Sequence, residues 1–234
     1  MKKLLFAFLV SLLLVSAVAV FFSAKAEAKP REPLEKIVFI HWKGNTITSR
    51  AKQPTCYKFL SPLRVKWPST VSYVINPTNP QGLSRDFIES AIFEAAETWD
   101  AATSKELMNN LYSIDYSVAY GVQDYRNAIT FGNYSTSGVI AVTTVWYNSR
   151  TREIVEFDIM FDTDYEWGDA TQDSSKMDLQ NIATHELGHA VGLGDVYQDA
   201  CSEVTMYGYS DYGETKKRTL EQPDITGLRI LYGA

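Results

Sequence analysis

His185-Glu186-Leu187-Gly188-His189 constrains this chain more than any other stretch. It lies within a helical pattern running from Met177, whose apolar side is Leu179, Ile182, Ala183, Leu187, Ala190 and Val191. Asp178 or Ser175 is placed to cap the helix, and Gly192 and Gly194 stop it. Side chains four residues apart stack on one face of a helix, so the two imidazoles can reach a single ion. Glu186, one residue after the first, can meet a metal-bound water without holding the metal. Base-assisted hydrolysis at zinc needs this arrangement.

Two helix ligands do not complete a catalytic zinc site, which takes three protein ligands and an open position. Gly192 lets the chain leave the helix and turn back, and Asp195 follows to offer a carboxylate. Only three histidines exist, and the third, His41, lies far upstream in an irregular extension. Counting therefore favours a carboxylate as third ligand. Asp195 leads, with Asp199, Glu203 and Glu214 as the other candidates. Met206 falls in a short polar loop from which it can lie beneath the ligands.

The rest of the chain reads as an α+β domain behind an export signal. Lys2 and Lys3 precede residues 4–22, an uncharged apolar run, and Ala24, Ala26 and Ala28 follow. This describes a signal peptide over 1–28, with a retained membrane anchor as the alternative. Export would let Cys56 and Cys201 form a disulfide closing a long loop. The net charge of −6 argues against a nucleic-acid partner. Asn133-Tyr134-Ser135 is a glycosylation pattern of the kind that arises by chance. Residues 29–65 read as an extension with a strand-like stretch from Ile37 to Trp42, and the domain as 66–234. Within it, Ser84 caps a helix with Ile88, Ala91, Ile92, Ala95 and Trp99 on its core side. Strand-like runs follow around Ile114–Val118, Ala128–Phe131, Val139–Tyr147 and Ile154–Phe161, and they suggest a mostly meandering sheet.

His185-Glu186-x-x-His189-x-x-Gly192-x-x-Asp195 followed by Thr205-Met206-Tyr207 resembles the metzincin clan and, within it, the matrixin family of the small prokaryotic type. Asp178-Leu179, Asp158-Ile159-Met160-Phe161, Asp224-Ile225-x-Gly227 and Leu231-Tyr232-Gly233 extend the likeness over roughly 66–234. The resemblance implies a zincin-like α+β fold: a twisted, mostly antiparallel-edged sheet, two helices, and a small C-terminal subdomain with a methionine turn and a terminal helix. It implies a secreted, monomeric zinc endopeptidase acting on extended peptides or proteins, with zinc on His185, His189 and Asp195 and Glu186 as general base. Val139, Ile140, Ala141 and Val142 would edge the cleft and pair with substrate, Tyr207 and Tyr209 would wall it, Met206 would underlie the zinc, and Asp224 would be a buried support. Two other classes are a catalytically silent zinc-bearing module that binds peptides and a membrane-anchored processing enzyme with one substrate.

The sequence also departs from the animal members of the family. Histidines for a second, structural zinc are lacking, so one zinc is expected, and Asp162, Asp164 and Asp169 leave calcium open. Cys56 lacks the motif that surrounds the family's propeptide cysteine, so a disulfide is preferred to a cysteine switch. A carboxylate third ligand, where those enzymes use histidine, lowers the charge of the site and leaves its water less acidic. Activity is therefore expected to be displaced toward alkaline pH. A pH–rate profile checks this, and an acid limb below about 5 would contradict it.

Overall fold

The computed structural model describes residues 33–44 and 55–234. The apolar run at 4–22, the alanines after it and the start of the extension lie outside the described residues. Among the described residues, no helix is long and apolar enough to cross a membrane.

Eleven strands and three α-helices make up the described chain: β1 (Glu35–Lys43), β2 (Lys58–Phe59), β3 (Val74–Ile75), α1 (Arg85–Asp100), β4 (Ser113–Ile114), β5 (Ala128–Gly132), β6 (Val139–Asn148), β7 (Glu153–Asp162), β8 (Trp167–Gly168), β9 (Met177–Asp178), α2 (Leu179–Ala190), β10 (Leu193–Gly194), β11 (Tyr209–Ser210) and α3 (Gln222–Tyr232). Seven of the strands form one sheet in the order β11-β1-β6-β7-β5-β3-β4.

The two long helices start where their caps dictate. Ser84 accepts a hydrogen bond from Phe87 N, and Asp178 accepts one from Asn181 N. The core side of α1 is the expected one: Ile88, Ala91, Ile92, Ala95 and Trp99 are buried, with Ala96 beside them. Helix α2 is buried nearly all round, since it packs on α1 on one side and lies against β6 on another. Trp99 bridges the helices by donating its indole N–H to Thr184 O at 2.7 Å.

The sheet is less antiparallel than expected. Only β1–β6 and β6–β7 pair antiparallel, whereas β11–β1, β7–β5, β5–β3 and β3–β4 are parallel. The physical reason lies in the connections. Helix α1 carries the chain from β3 over to β4 as a long crossover, and the tight β6–β7 hairpin puts β6 outside β7, leaving β7 parallel to β5. The run from Ile114 to Val118 forms only a two-residue strand, and Tyr116 is exposed.

Part of the extension belongs to this architecture. Strand β1 pairs with β6 from Glu35↔Tyr147 to Trp42↔Val139, and β2 pairs with β10. Cys56 and Cys201 are disulfide-bonded, which rules out Cys56 as a free switch thiol in this structure.

Two glycines permit the close packing around α2. Gly192 ends the helix with φ +102°, in the left-handed region, and a Cβ there would lie 2.8 Å from Val65 O. At Gly188 a Cβ would lie 2.7 Å from the Trp99 ring and collide with Met206 Sδ. Replacing Gly188 by Ala should therefore cost about 1–3 kcal/mol through overpacking against a rigid indole. The thermal midpoint should fall by several degrees in calorimetry; an unchanged midpoint would mean that the two helices separate without cost.

Candidate functional site

The site is assembled where α2 meets the loop that follows it. Successive turns of α2 present His185 and His189, and each ring is oriented through its Nδ1. His185 Nδ1 lies 2.7 Å from Thr205 O, and His189 Nδ1 lies 3.0 Å from Leu193 O. A carbonyl oxygen only accepts, so both Nδ1 atoms carry the proton and both Nε2 atoms offer a lone pair. The turn at Gly192 brings Asp195 back beneath the helix. Its Oδ1 is 3.1 Å from His185 Nε2 and 3.4 Å from His189 Nε2, and Tyr197 Oη donates to its Oδ2 at 3.0 Å.

These three donor atoms fit a metal. His185 Nε2, His189 Nε2 and Asp195 Oδ1 are all buried and have no hydrogen-bond partner. Buried polar atoms are normally satisfied, so three orphans converging on one point need an explanation. Ligands about 2.0–2.1 Å from a tetrahedral zinc lie roughly 3.3 Å from one another, close to the separations found here. Burial pushes the Asp195 carboxyl up, but the two imidazoles outweigh it and hold the group well below the usual carboxylate range.

Glu186 is wholly buried beside the cluster, and both of its oxygens are engaged. Thr143 Oγ1 on β6 donates to Oε2. His41 Nδ1 on β1 lies 3.1 Å from Oε1. Burial, with the charge of His185, pushes His41 down to about 4, so the ring is neutral near pH 7 and its Nδ1–H donates to the carboxylate. Burial also raises the Glu186 carboxyl, but the bond from His41 and the surrounding imidazoles hold it below its ordinary value.

The remaining expected residues are placed as follows. Met206 is buried against Gly188, and Asp224 accepts from Thr205 N at 2.9 Å, Met206 N at 3.2 Å and Glu221 N at 3.0 Å. Asp224 thus holds the turn whose Thr205 carbonyl orients His185. Tyr207 and Tyr209 pack edge to face on one another, and Tyr209 opens β11. Val139, Ile140, Ala141 and Val142 are all in β6, but that edge is covered by β1. Of the other third-ligand candidates, Glu203 pairs with Lys216 and Glu214 with the buried Lys217, while Asp199 opens a short turn. Asp162, Asp164 and Asp169 do not converge: Asp162 accepts from Asp164 N, Asp164 from Asn133, and Asp169 from Arg218. Among the described residues, only His185–His189–Asp195 and His41–His185–Glu186 form groups of three that could hold an ion.

His41 lies far upstream in the sequence, yet the fold returns it to the site. The available signal was the alternation from Ile37 to Trp42, which puts Phe39 and His41 on one face of a strand. Phe39 stacks on His189 with ring centroids 3.9 Å apart, and His41 lies over His185 at the same distance. Lys217 had no such signal. It is fully buried, donates to Tyr209 O and Ser210 Oγ, and thereby braces β11.

Comparison with known proteins agrees with this geometry. The family model for matrixin matches residues 66–233. Stromelysin-1 of Equus caballus is 29% identical over 173 residues, covering 72% of this chain and 33% of the relative. Neutrophil collagenase of Homo sapiens is 28% identical over 176 residues, covering 74% and 35%. The chain thus spans about a third of the length of the curated relatives it matches. With the matched residues including the whole of α2 and the turn to Asp195, this chain belongs to the matrixin family.

Proposed function

We propose that the chain is a secreted zinc endopeptidase that hydrolyses peptide bonds in extended polypeptides. His185, His189 and Asp195 would hold one zinc, and Glu186 would be the general base. The observation that carries this reading is the convergence of three buried, unpartnered donor atoms beside a buried carboxylate.

A zinc ion in such a cage supplies Lewis-acid polarisation of a carbonyl and makes a water a nucleophile near neutral pH. The protein's own groups do the rest. The carbonyls of Thr205 and Leu193 fix the two imidazole tautomers. Tyr197 steers Asp195 by binding its second oxygen. Glu186 accepts the proton of the attacking water and delivers it to the leaving amine, while Thr143 holds the carboxylate in place. Strand β6 would offer backbone groups to an extended peptide along the side where β1 pairs in this structure, and β11, braced by Lys217, would form the opposite wall. The apolar run at the N-terminus would be the export signal, and the Cys56–Cys201 disulfide suits an oxidising compartment.

Metal analysis of the purified chain should find one zinc per molecule, and Asp195→Ala should lose most of it under dilution into chelator. Full zinc retention in that variant would remove Asp195 from the site. Glu186→Gln should keep the zinc yet lower turnover of a peptide library by roughly 10²–10⁴-fold. Equal turnover would leave Glu186 without a chemical role. Peptide binding with zinc but without cleavage in any form would favour a silent binding module.

A further inference from the structure

A cavity of about 710 Å³ plays no part in the proposed chemistry. Its walls come from three segments distant in sequence, within 62–68, 151–153 and 230–231, and none of the residues assigned to the metal, to Glu186 or to the cleft lines it. It adjoins the end of α2, where Trp67 Nε1 donates to Ala190 O, one residue past His189, at 2.7 Å.

Three cations line this cavity in a chain whose net charge is −6: Arg64, Lys66 and Arg152. All three are exposed. Lys66 Nζ is committed to Leu231 O at 2.7 Å, which leaves the two guanidinium groups without a carboxylate partner among the described residues. Backbone geometry singles out the same pair. Three non-glycine residues of the described chain have a positive φ, and two of them are Arg64 at 53° and Arg152 at 62°. Glycine or asparagine takes such a position at less cost. Arg64 N–H closes a turn on Ser61 O, and Arg152 N–H closes the β6–β7 hairpin turn on Asn148 O. Neither turn gains from an arginine, so its side chain, not its backbone, is what suits each position.

The surroundings are rigid and amphipathic. Lys66 N donates to Arg152 O and Ile154 N to Lys66 O, which locks two of the walls together. The Arg64 guanidinium lies over the Phe59 ring, 5.0 Å from its centroid, a stacking that leaves its N–H edge open to a ligand. Leu63 and Ile230 line the same cavity and are 37% and 43% exposed. A guanidinium fork binds a carboxylate through two parallel N–H bonds. Apolar neighbours of that carboxylate would cover Leu63 and Ile230. Glu153, also in the lining, repels a dense polyanion yet can accept a peptide N–H.

We propose that this cavity docks an acidic segment of a polypeptide, with carboxylates on Arg64 and Arg152 and apolar side chains against Leu63 and Ile230, and that it holds substrates of the peptidase at a second point outside the catalytic cleft. The docking site stands on its own residues; its service to substrates rests on the endopeptidase reading of the metal site.

The test uses the full zinc-loaded chain. Binding of a short dye-labelled peptide of alternating Glu and Leu is followed by fluorescence anisotropy in Glu186→Gln, so that hydrolysis plays no part, and in the same form carrying Arg64→Gly and Arg152→Gly. Glycine fits both backbone positions, so the melting temperature should hold or rise. Loss of the two guanidinium groups should weaken probe binding about tenfold or more, and so should raising salt from about 0.05 to 0.5 M. A Gln-for-Glu probe should bind the parent as weakly as the acidic probe binds the variant. If the double variant does not fold, Arg152→Asn alone, also tolerated at positive φ, gives the same reading. Equal affinity of the acidic probe for parent and variant, or of both probes for the parent, would overturn the proposal. Displacement of the probe by heparin or inorganic phosphate at lower concentration than by unlabelled acidic peptide would overturn it too, in favour of a general anion patch. In chains that retain Glu186, a cleavable peptide joined to the acidic segment by a flexible Gly/Ser linker should show a KM about tenfold lower than its Gln counterpart, with kcat unchanged. That difference should vanish in Arg64→Gly/Arg152→Gly. Docking without any difference in KM would overturn the substrate role. Docking with no cleavage in any form would overturn the endopeptidase reading and leave the acidic-peptide site standing.

Discussion

Four polar side chains are buried around one point, and the molecule is built to make that burial tolerable. Taking a carboxylate or an imidazole out of water costs several kcal/mol unless a partner compensates. His185 and His189 are compensated at Nδ1 by backbone carbonyls, Asp195 at Oδ2 by Tyr197, and Glu186 by Thr143 and His41. The atoms without partners are the two Nε2 nitrogens and Asp195 Oδ1 (together with His41 Nε2), and they face one another across the site. A divalent ion is the simplest chemistry that satisfies such a set.

The carbonyls that orient the imidazoles are themselves held from a distance. Thr205 O is fixed because Asp224, at the start of α3, binds the amides of Thr205 and Met206. Asp224 is fully buried, and burial raises its carboxyl, with three backbone N–H groups opposing that rise. Leu193 O belongs to β10, which is pinned to β2 and through it to the Cys56–Cys201 bond. The start of α2 is tied down by Arg218, which binds Asp178 and Asp169 together. Loss of any of these contacts would disturb ring orientation without touching a proposed ligand, and misorientation of ligands by fractions of an ångström is costly in sites of this kind.

A long apolar strand whose backbone edge is left open is a hazard. With β1 removed, β6 would present ten residues of mostly buried, apolar strand with one side of its backbone unpaired. Such an edge recruits other strands. Strand β1 covers this edge with its backbone ladder, and the same strand sets Phe39 against His189 and His41 against Glu186.

Local information in the sequence reached α1, α2 and the β6–β7 hairpin, because caps, helical spacing and alternation are written into neighbouring residues. It also reached His185, Glu186, His189 and Asp195, since the geometry of one helical turn and a glycine stop relates them within eleven positions. The parallel pairing of β5 with β3 and β7 was hidden, because it depends on which side of a crossover the chain returns. The same held for Thr143, Lys217 and above all His41, which stands 145 residues from the carboxylate it binds. The sequence by itself determined which side chains could share a metal, because a helix sets their spacing. Only the tertiary structure decided that a strand from outside the matched region lies across them, because pairing between distant strands is set by the closure of the whole sheet rather than by any local preference.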